Sequence, residues 1–186
     1  MNAQLEAARE LHQFLSELNI DYVVIGGIAV QKWGNPRFTR DADITIASPL
    51  TSSEATVNLI TSHFTPRSND PVEFARKTRM VLVTASNGID VDISLALPGY
   101  EEHLFENATD FEIEFGKYIR LCSAEDLIIL KAVAARPQDL SDIQGVVVRQ
   151  NERLRIDYIR EWLQQFADLL ARADIIENFE AVWQKR

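Results

Sequence analysis

The chain has 186 residues, 46% of them apolar and 25% charged, and a net charge of −9. That length and composition suit a globular core with room for an appended helical lobe, and no apolar run is long enough for a bilayer. The acidic balance argues against a general nucleic-acid binder, RNA as well as duplex DNA, since phosphate backbones are met largely by Lys and Arg.

The N-terminus, Met1-Asn2-Ala3-Gln4, lacks the basic and apolar regions of a signal peptide. Cys122 is the only cysteine, which excludes an intrachain disulfide and a Cys-rich metal site. A cytoplasmic location is the expectation. Leu5, Ala8, Leu11, Leu15 and Leu18 recur at helical spacing and predict a helix over 3–18. Tyr22-Val23-Val24-Ile25 reads as a short buried strand, followed by Gly26-Gly27 and a short helix over 28–33. Gly34-Asn35-Pro36 breaks the chain before an alternating run from Arg37 to Ile46. Ser52 or Ser53 can cap a helix over 54–63, and 65–71 reads as a turn-rich loop. Residues 80–85 and 90–97 form strands joined by Ser86-Asn87-Gly88, a strong hairpin signal. A short helix over 100–107 and a second hairpin, 111–115 with 118–121, complete the strand-bearing part. Beyond it only helices are expected: 124–135 capped by Ser123, one capped by Asp139, then 154–171 and 174–184.

The chemistry concentrates in Asp41-Ala42-Asp43 and Asp90-Val91-Asp92-Ile93-Ser94. Strand side chains alternate between faces, so Asp41 and Asp43 leave one face, and Asp90, Asp92 and Ser94 also share one. If the two segments pair, neighbouring carboxylates stand roughly 5 Å apart, and each like-charge pair costs about 3 kcal/mol at an effective dielectric near 20. Such a cluster is offset by protonation or by a bound cation. Oxygen-only ligands favour Mg²⁺ or Mn²⁺, and paired ions of this kind suit in-line phosphoryl or nucleotidyl transfer. On its own, an Asp-x-Asp reads instead as a turn-capping Asp41 and solvated Asp90 and Asp92 with no cross-strand contact. Gly26-Gly27 before a helix permits close approach of a phosphate, although a tight connection explains it as well. Of the candidates for a third carboxylate, Asp92 lies inside its strand, whereas Asp90 sits beside the turn. His12, His63 and His103 are scattered, and no Ser/His/Asp or Cys/His arrangement stands out.

Taken together, Gly26-Gly27-x-Ala29, Arg37-x-Thr39-x-Asp41-x-Asp43 and Val91-Asp92-Ile93 resemble the nucleotidyltransferase superfamily of DNA polymerase β type. More closely they resemble the branch containing the AbiEii-type toxins of abortive-infection and toxin–antitoxin systems, and the resemblance continues into Ala124-Glu125-Asp126-Leu127-Ile128-x-Leu130-Lys131 and Arg136-Pro137-x-Asp139-Leu140-x-Asp142-Ile143, over about residues 20–145. The resemblance implies an α+β fold, a mixed β-sheet flanked by helices, with a nucleotidyltransferase core over 1–122 and a helical region over 123–186. It implies that Asp41, Asp43 and Asp92 hold metal and carry catalysis. It places Gly26, Gly27, Arg37, Thr39, Arg40 and Lys131 at the NTP. The implied reaction is NMP transfer from NTP to an acceptor that is RNA or tRNA, a protein or a small molecule, with a possible antitoxin partner. A non-catalytic nucleotide- or partner-binding module and an antibiotic-type transferase are the alternatives.

Lys131 lies on a helix that is apolar nearly all round, so it either snorkels to the surface or needs an anionic partner, an Asp such as Asp139 or, as the resemblance implies, triphosphate. Arg37 and Arg40 either bind phosphate or balance the Asp cluster. Asp139 and Asp142 read as cap and surface residues, and Arg76, Lys77 and Arg79 as a solvated patch.

Overall fold

A computed structural model describes residues 2–48 and 53–186. Two compact units emerge, one built from residues 1–28 and 38–122 and the other from 29–37 and 123–186.

The first unit is a seven-stranded mixed sheet with helices. Its elements are α1 (Ala3–Glu17), β1 (Tyr22–Val24), the start of α2 (Gly26–Trp33), β2 (Ala42–Ile46) and α3 (Ser53–His63). They continue as β3 (Thr65–Pro66), α4 (Pro71–Thr78), β4 (Met80–Thr84), β5 (Asp90–Leu95), α5 (Tyr100–Glu106), β6 (Thr109–Glu114) and β7 (Lys117–Leu121). The strand order is β3-β4-β5-β2-β1-β7-β6. β2 runs parallel to β5 and antiparallel to β1, and β1 runs parallel to β7. Alternation assigns the faces: Val81, Val83, Val91, Ile93, Leu95, Ala42, Ile44 and Ile46 are all buried. Asp90, Asp92 and Ser94 leave the opposite, partly exposed side of β5. α1 is held at its start by the Asn2 side chain, which accepts from Leu5 N at 2.9 Å, and it buries Ala7, Ala8, Leu11 and Leu15.

The second unit contains α6 (Ala124–Ala134), α7 (Pro137–Gln150), a 3₁₀ turn (Asn151–Arg153), α8 (Ile156–Leu170) and α9 (Asp174–Trp183). Ser123 caps α6, accepting from Asp126 N at 3.0 Å, and Tyr158 of α8 donates to the Asp126 carboxylate at 2.8 Å. α8 and α9 turn Ile159, Leu163, Ile175 and Phe179 into the core. The 29–37 segment lies against α7, where a Cβ on Gly145 would stand 3.0 Å from Asn35 N.

Several expectations are corrected. α4 falls where no helix is expected, because Asp70 and Pro71 read as turn residues but act as N-cap and first helical residue. Pro66 and Thr65 pair with β4 as a short strand inside the expected loop. α2 begins at Gly26, so the glycines are its first turn instead of a loop before it. The expected cap Ser52 lies outside the described residues, and Ser53 is already within α3. Arg76 and Lys77 are solvated, but Arg79 is not part of that patch. Its guanidinium donates to Leu95 O at 3.0 Å and Ala96 O at 2.7 Å, tying the end of α4 to the end of β5. Among the described residues no helix is long and apolar enough to cross a membrane.

Candidate active site

The parallel pairing of β2 with β5 sets Asp43 directly beside Asp92. In-register neighbours of a sheet project to the same side, so the two carboxylates are adjacent. Asp41 stands just ahead of β2, and the hydroxyl of buried Thr39 donates to its carbonyl and to its Oδ1, both at 3.2 Å. The strand then meets the glycine turn, with Ile25 N donating to Asp43 O at 2.9 Å.

Both glycines are dictated by what lies over them. Gly26 has φ +61°, and a Cβ there would fall 1.9 Å from Asp43 Oδ2. A Cβ on Gly27 would fall 2.5 Å from Thr39 Oγ1. The missing side chains therefore make room for the carboxylate and the hydroxyl that define the site, at the N-terminus of α2 where backbone N–H groups are unpaired within the helix. This packing between residues 26–27 and 39–43 is invisible to a reading of local turn chemistry.

On the other side of Asp92 stands Arg67, which the sequence leaves unremarked in a turn-rich stretch. Its backbone N donates to Leu82 O at 2.9 Å, its Nε to Val83 O at 3.1 Å and its Nη2 to Val91 O at 3.5 Å. The same guanidinium is ion-paired with Asp92 Oδ1 and lies 3.4 Å from Asp90 Oδ2. Asp90 also accepts from the Thr84 hydroxyl at 3.1 Å, so its carboxylate is occupied on the β4 side.

The donor set fits a hard divalent cation, because Asp41, Asp43 and Asp92 offer only carboxylate oxygens. Among the described residues, however, no three His, Cys, Asp or Glu side chains form a ready ligand group. Asp43 and Asp92 are brought side by side by the sheet, and Asp92 has a guanidinium as partner.

Arg37 and Lys131 belong to the second unit, in a buried ionic network. Lys131, 5% exposed, has its ammonium 2.9 Å from Asp139 Oδ1 and 2.7 Å from Asp142 Oδ2. Arg37 grips Asp142 with two bonds of 2.9 Å, and Arg136 holds Asp139 at 2.6 Å. The expected cap is corrected as well: α7 starts at Pro137 with Arg136 as its N-cap, and Asp139 is its third residue, whose carboxylate accepts from Arg136 N at 3.2 Å. The expectation of a surface Asp142 is thus corrected: it is 3% exposed, because three donors converge on it from Arg37, Lys131 and Gln138. Arg40 is exposed.

Burial alone pushes the Asp139 and Asp142 carboxyls up, but their hydrogen bonds to Arg136, Arg37 and Lys131 outweigh it and hold both below the usual value. Groups depressed in the folded state contribute stability that is complete above the unfolded value near ~3.9 and is lost as pH falls through the folded values. Thermal melts are therefore expected to drop steeply below about pH 4, and less steeply in Asp139→Asn/Asp142→Asn.

A sequence-family profile described as "Nucleotidyl transferase of unknown function (DUF2204)" matches residues 4–177. No curated protein matches the sequence. Among solved structures, the chain is similar to an antigenic nucleotidyltransferase-like protein from Paracoccidioides brasiliensis, at 19% identity and TM-score 0.55 over 95% of this chain and 91% of that one. It is also similar to ANT(2")-Ia in complex with adenylyl-2"-tobramycin, at 14% identity and TM-score 0.57 over 91% and 99%. A third likeness is to the lincosamide antibiotic adenylyltransferase LnuA with lincomycin bound, at 11% identity and TM-score 0.52 over 78% and 98%. At these identities the likeness establishes the fold, a mixed sheet flanked by helices with a helical C-terminal region.

Proposed function

We propose, from the premise that this chain belongs to the nucleotidyl transferase family DUF2204, that it moves an NMP unit from an NTP to an acceptor hydroxyl with the help of a divalent cation. The observation that carries this reading is the in-register placement of Asp43 beside Asp92, with the Asp43 carboxylate packed on Gly26 at the start of a helix. Asp41, Asp43 and Asp92 are the residues that would hold Mg²⁺ or Mn²⁺, and such an ion would supply positive charge against the phosphate oxygens. Gly26 and Gly27 present backbone N–H groups and the positive end of the α2 dipole to the triphosphate. Thr39 keeps Asp41 oriented, and Arg40 is placed in the same motif to meet phosphate. Asp92 takes the proton of the acceptor hydroxyl as its oxygen bonds to the α-phosphorus. The bond from that phosphorus to the β-phosphate oxygen breaks, and pyrophosphate leaves. The first unit carries this chemistry, while Arg37 and Lys131 serve the fold of the second.

Two acceptor classes have support. The motif likeness to AbiEii-type toxins supports RNA or a protein as acceptor, together with an antitoxin partner. The near-complete length match to ANT(2")-Ia, whose structure holds adenylyl-2"-tobramycin, supports a small hydroxylated molecule instead. Incubation with each labelled NTP, Mg²⁺ and either total cellular RNA, total protein or an aminoglycoside panel tests the reading. Label transfer is expected, and is expected to fall by at least about 100-fold, the contribution of a positioned base, in Asp92→Asn, with losses of similar size in Asp41→Asn and Asp43→Asn. NTP binding without transfer to any acceptor in this panel would show a binding module. Growth arrest on expression points to the toxin class, and drug resistance to the small-molecule class.

A further inference from the structure

We infer that Arg67 is a built-in counter-ion of the candidate metal site, which takes Asp92 when no divalent cation does and so sets the site's cation affinity. The inference rests on the reading of Asp41, Asp43 and Asp92 as cation ligands. Three acidic side chains, Asp43, Asp90 and Asp92, project from adjacent positions on β2 and β5, and like charges so placed repel. The guanidinium of Arg67 answers that repulsion by pairing with Asp92 and approaching Asp90. Its place does not depend on the carboxylates alone. Bonds to Val83 O at 3.1 Å and Val91 O at 3.5 Å fix it to β4 and β5. A guanidinium presents its donors in a rigid planar fork, so with the backbone occupying part of that fork the rest is aimed at the carboxylates.

A divalent cation and a guanidinium compete for one carboxylate, and a fixed positive charge a few ångströms away opposes entry of a second. Removing Arg67 therefore has two opposite effects: the sheet loses the charge that balances its acidic residues, and the site gains affinity for a cation. A residue that merely staples the sheet produces only the first.

The test is Mn²⁺ titration by calorimetry, with melting curves with and without Mn²⁺, on wild type, Arg67→Gln, Arg67→Lys and Asp92→Asn. Arg67→Gln is expected to bind Mn²⁺ about tenfold or more tightly, to melt earlier without metal, and to gain more from Mn²⁺ than wild type gains. Arg67→Lys, which keeps the charge but loses the fork that holds it beside Asp92, is expected to bind Mn²⁺ with an affinity between those of wild type and Arg67→Gln. Unchanged or weaker binding in Arg67→Gln overturns the inference, as does unchanged or weaker binding in Arg67→Lys should the neutral variant fail to fold. Equal Mn²⁺ binding by wild type and Asp92→Asn overturns the metal-ligand reading itself, and the counter-ion with it. Weaker binding in Asp92→Asn alongside wild-type affinity in Arg67→Gln removes the counter-ion alone.

Discussion

Lys131→Met is expected to lower the stability of the chain by about 3 kcal/mol, the low end of what breaking a buried ion pair costs. The ammonium sits between Asp139 and Asp142, both nearly inaccessible to water. Met fills similar volume, so cavity formation is minor and the loss is electrostatic: two buried carboxylates keep their charge and lose the donor they share. Arg37 still grips Asp142 and Arg136 still grips Asp139, which keeps the cost from reaching the upper end. For a chain of this size the melting temperature falls by roughly 6–12 °C. Lys131→Met/Asp139→Asn/Asp142→Asn removes the uncompensated charges and is expected to recover part of the loss. A contact to triphosphate predicts the contrary pattern. In that case Lys131→Met melts like wild type and NTP affinity falls, and such a result would sink the structural assignment.

The same residue shows how far one-dimensional reading reaches. The helix of Lys131 is apolar nearly all round, which is enough to infer a buried ammonium and to offer Asp139 as its partner. Asp142 is a different case. On α7 alone, Asp139 and Asp142 three residues apart describe a solvated face, and only the position of α6 and of Arg37, 105 residues away in sequence, turns that face inward. The carboxylate pair on β2 and β5 is legible because strand alternation assigns faces without any tertiary knowledge. Their register is not: a two-residue slip would keep the faces and set Asp43 against Asp90, and only the paired strands place it against Asp92. Arg67 is not legible at all. Its side-chain partners lie 16 to 25 residues downstream on β4 and β5, and the short strand β3 that aims it contains a proline. The helix α4 is missed for the related reason that Asp70-Pro71 serves equally to end a segment and to start one.

Gly26→Ala is expected to abolish the carboxylate site while leaving most of the fold in place. An L-residue at φ +61° costs about 1–2 kcal/mol in backbone strain alone, a loss that a domain of this size tolerates. The larger consequence is local. The new methyl would stand 1.9 Å from Asp43 Oδ2 and 2.8 Å from Asp43 Cβ, so the whole side chain, and not only its tip, must leave its place beside Asp92. Mn²⁺ affinity, measured without nucleotide, is then expected to match that of Asp43→Asn, and the double variant is expected to be no worse than either single one. Gly27→Ala presses instead on Thr39, 2.5 Å from Oγ1 and 2.7 Å from Cβ, and displaces the hydroxyl that orients Asp41; the loss of Mn²⁺ affinity should be smaller, because Thr39 only positions a carboxylate and offers none itself. A glycine kept only for close approach of phosphate makes a different forecast: Gly26→Ala would raise KM for the NTP and leave cation binding untouched. Retained Mn²⁺ binding in Gly26→Ala would therefore detach the glycine from Asp43 and assign it to the nucleotide alone.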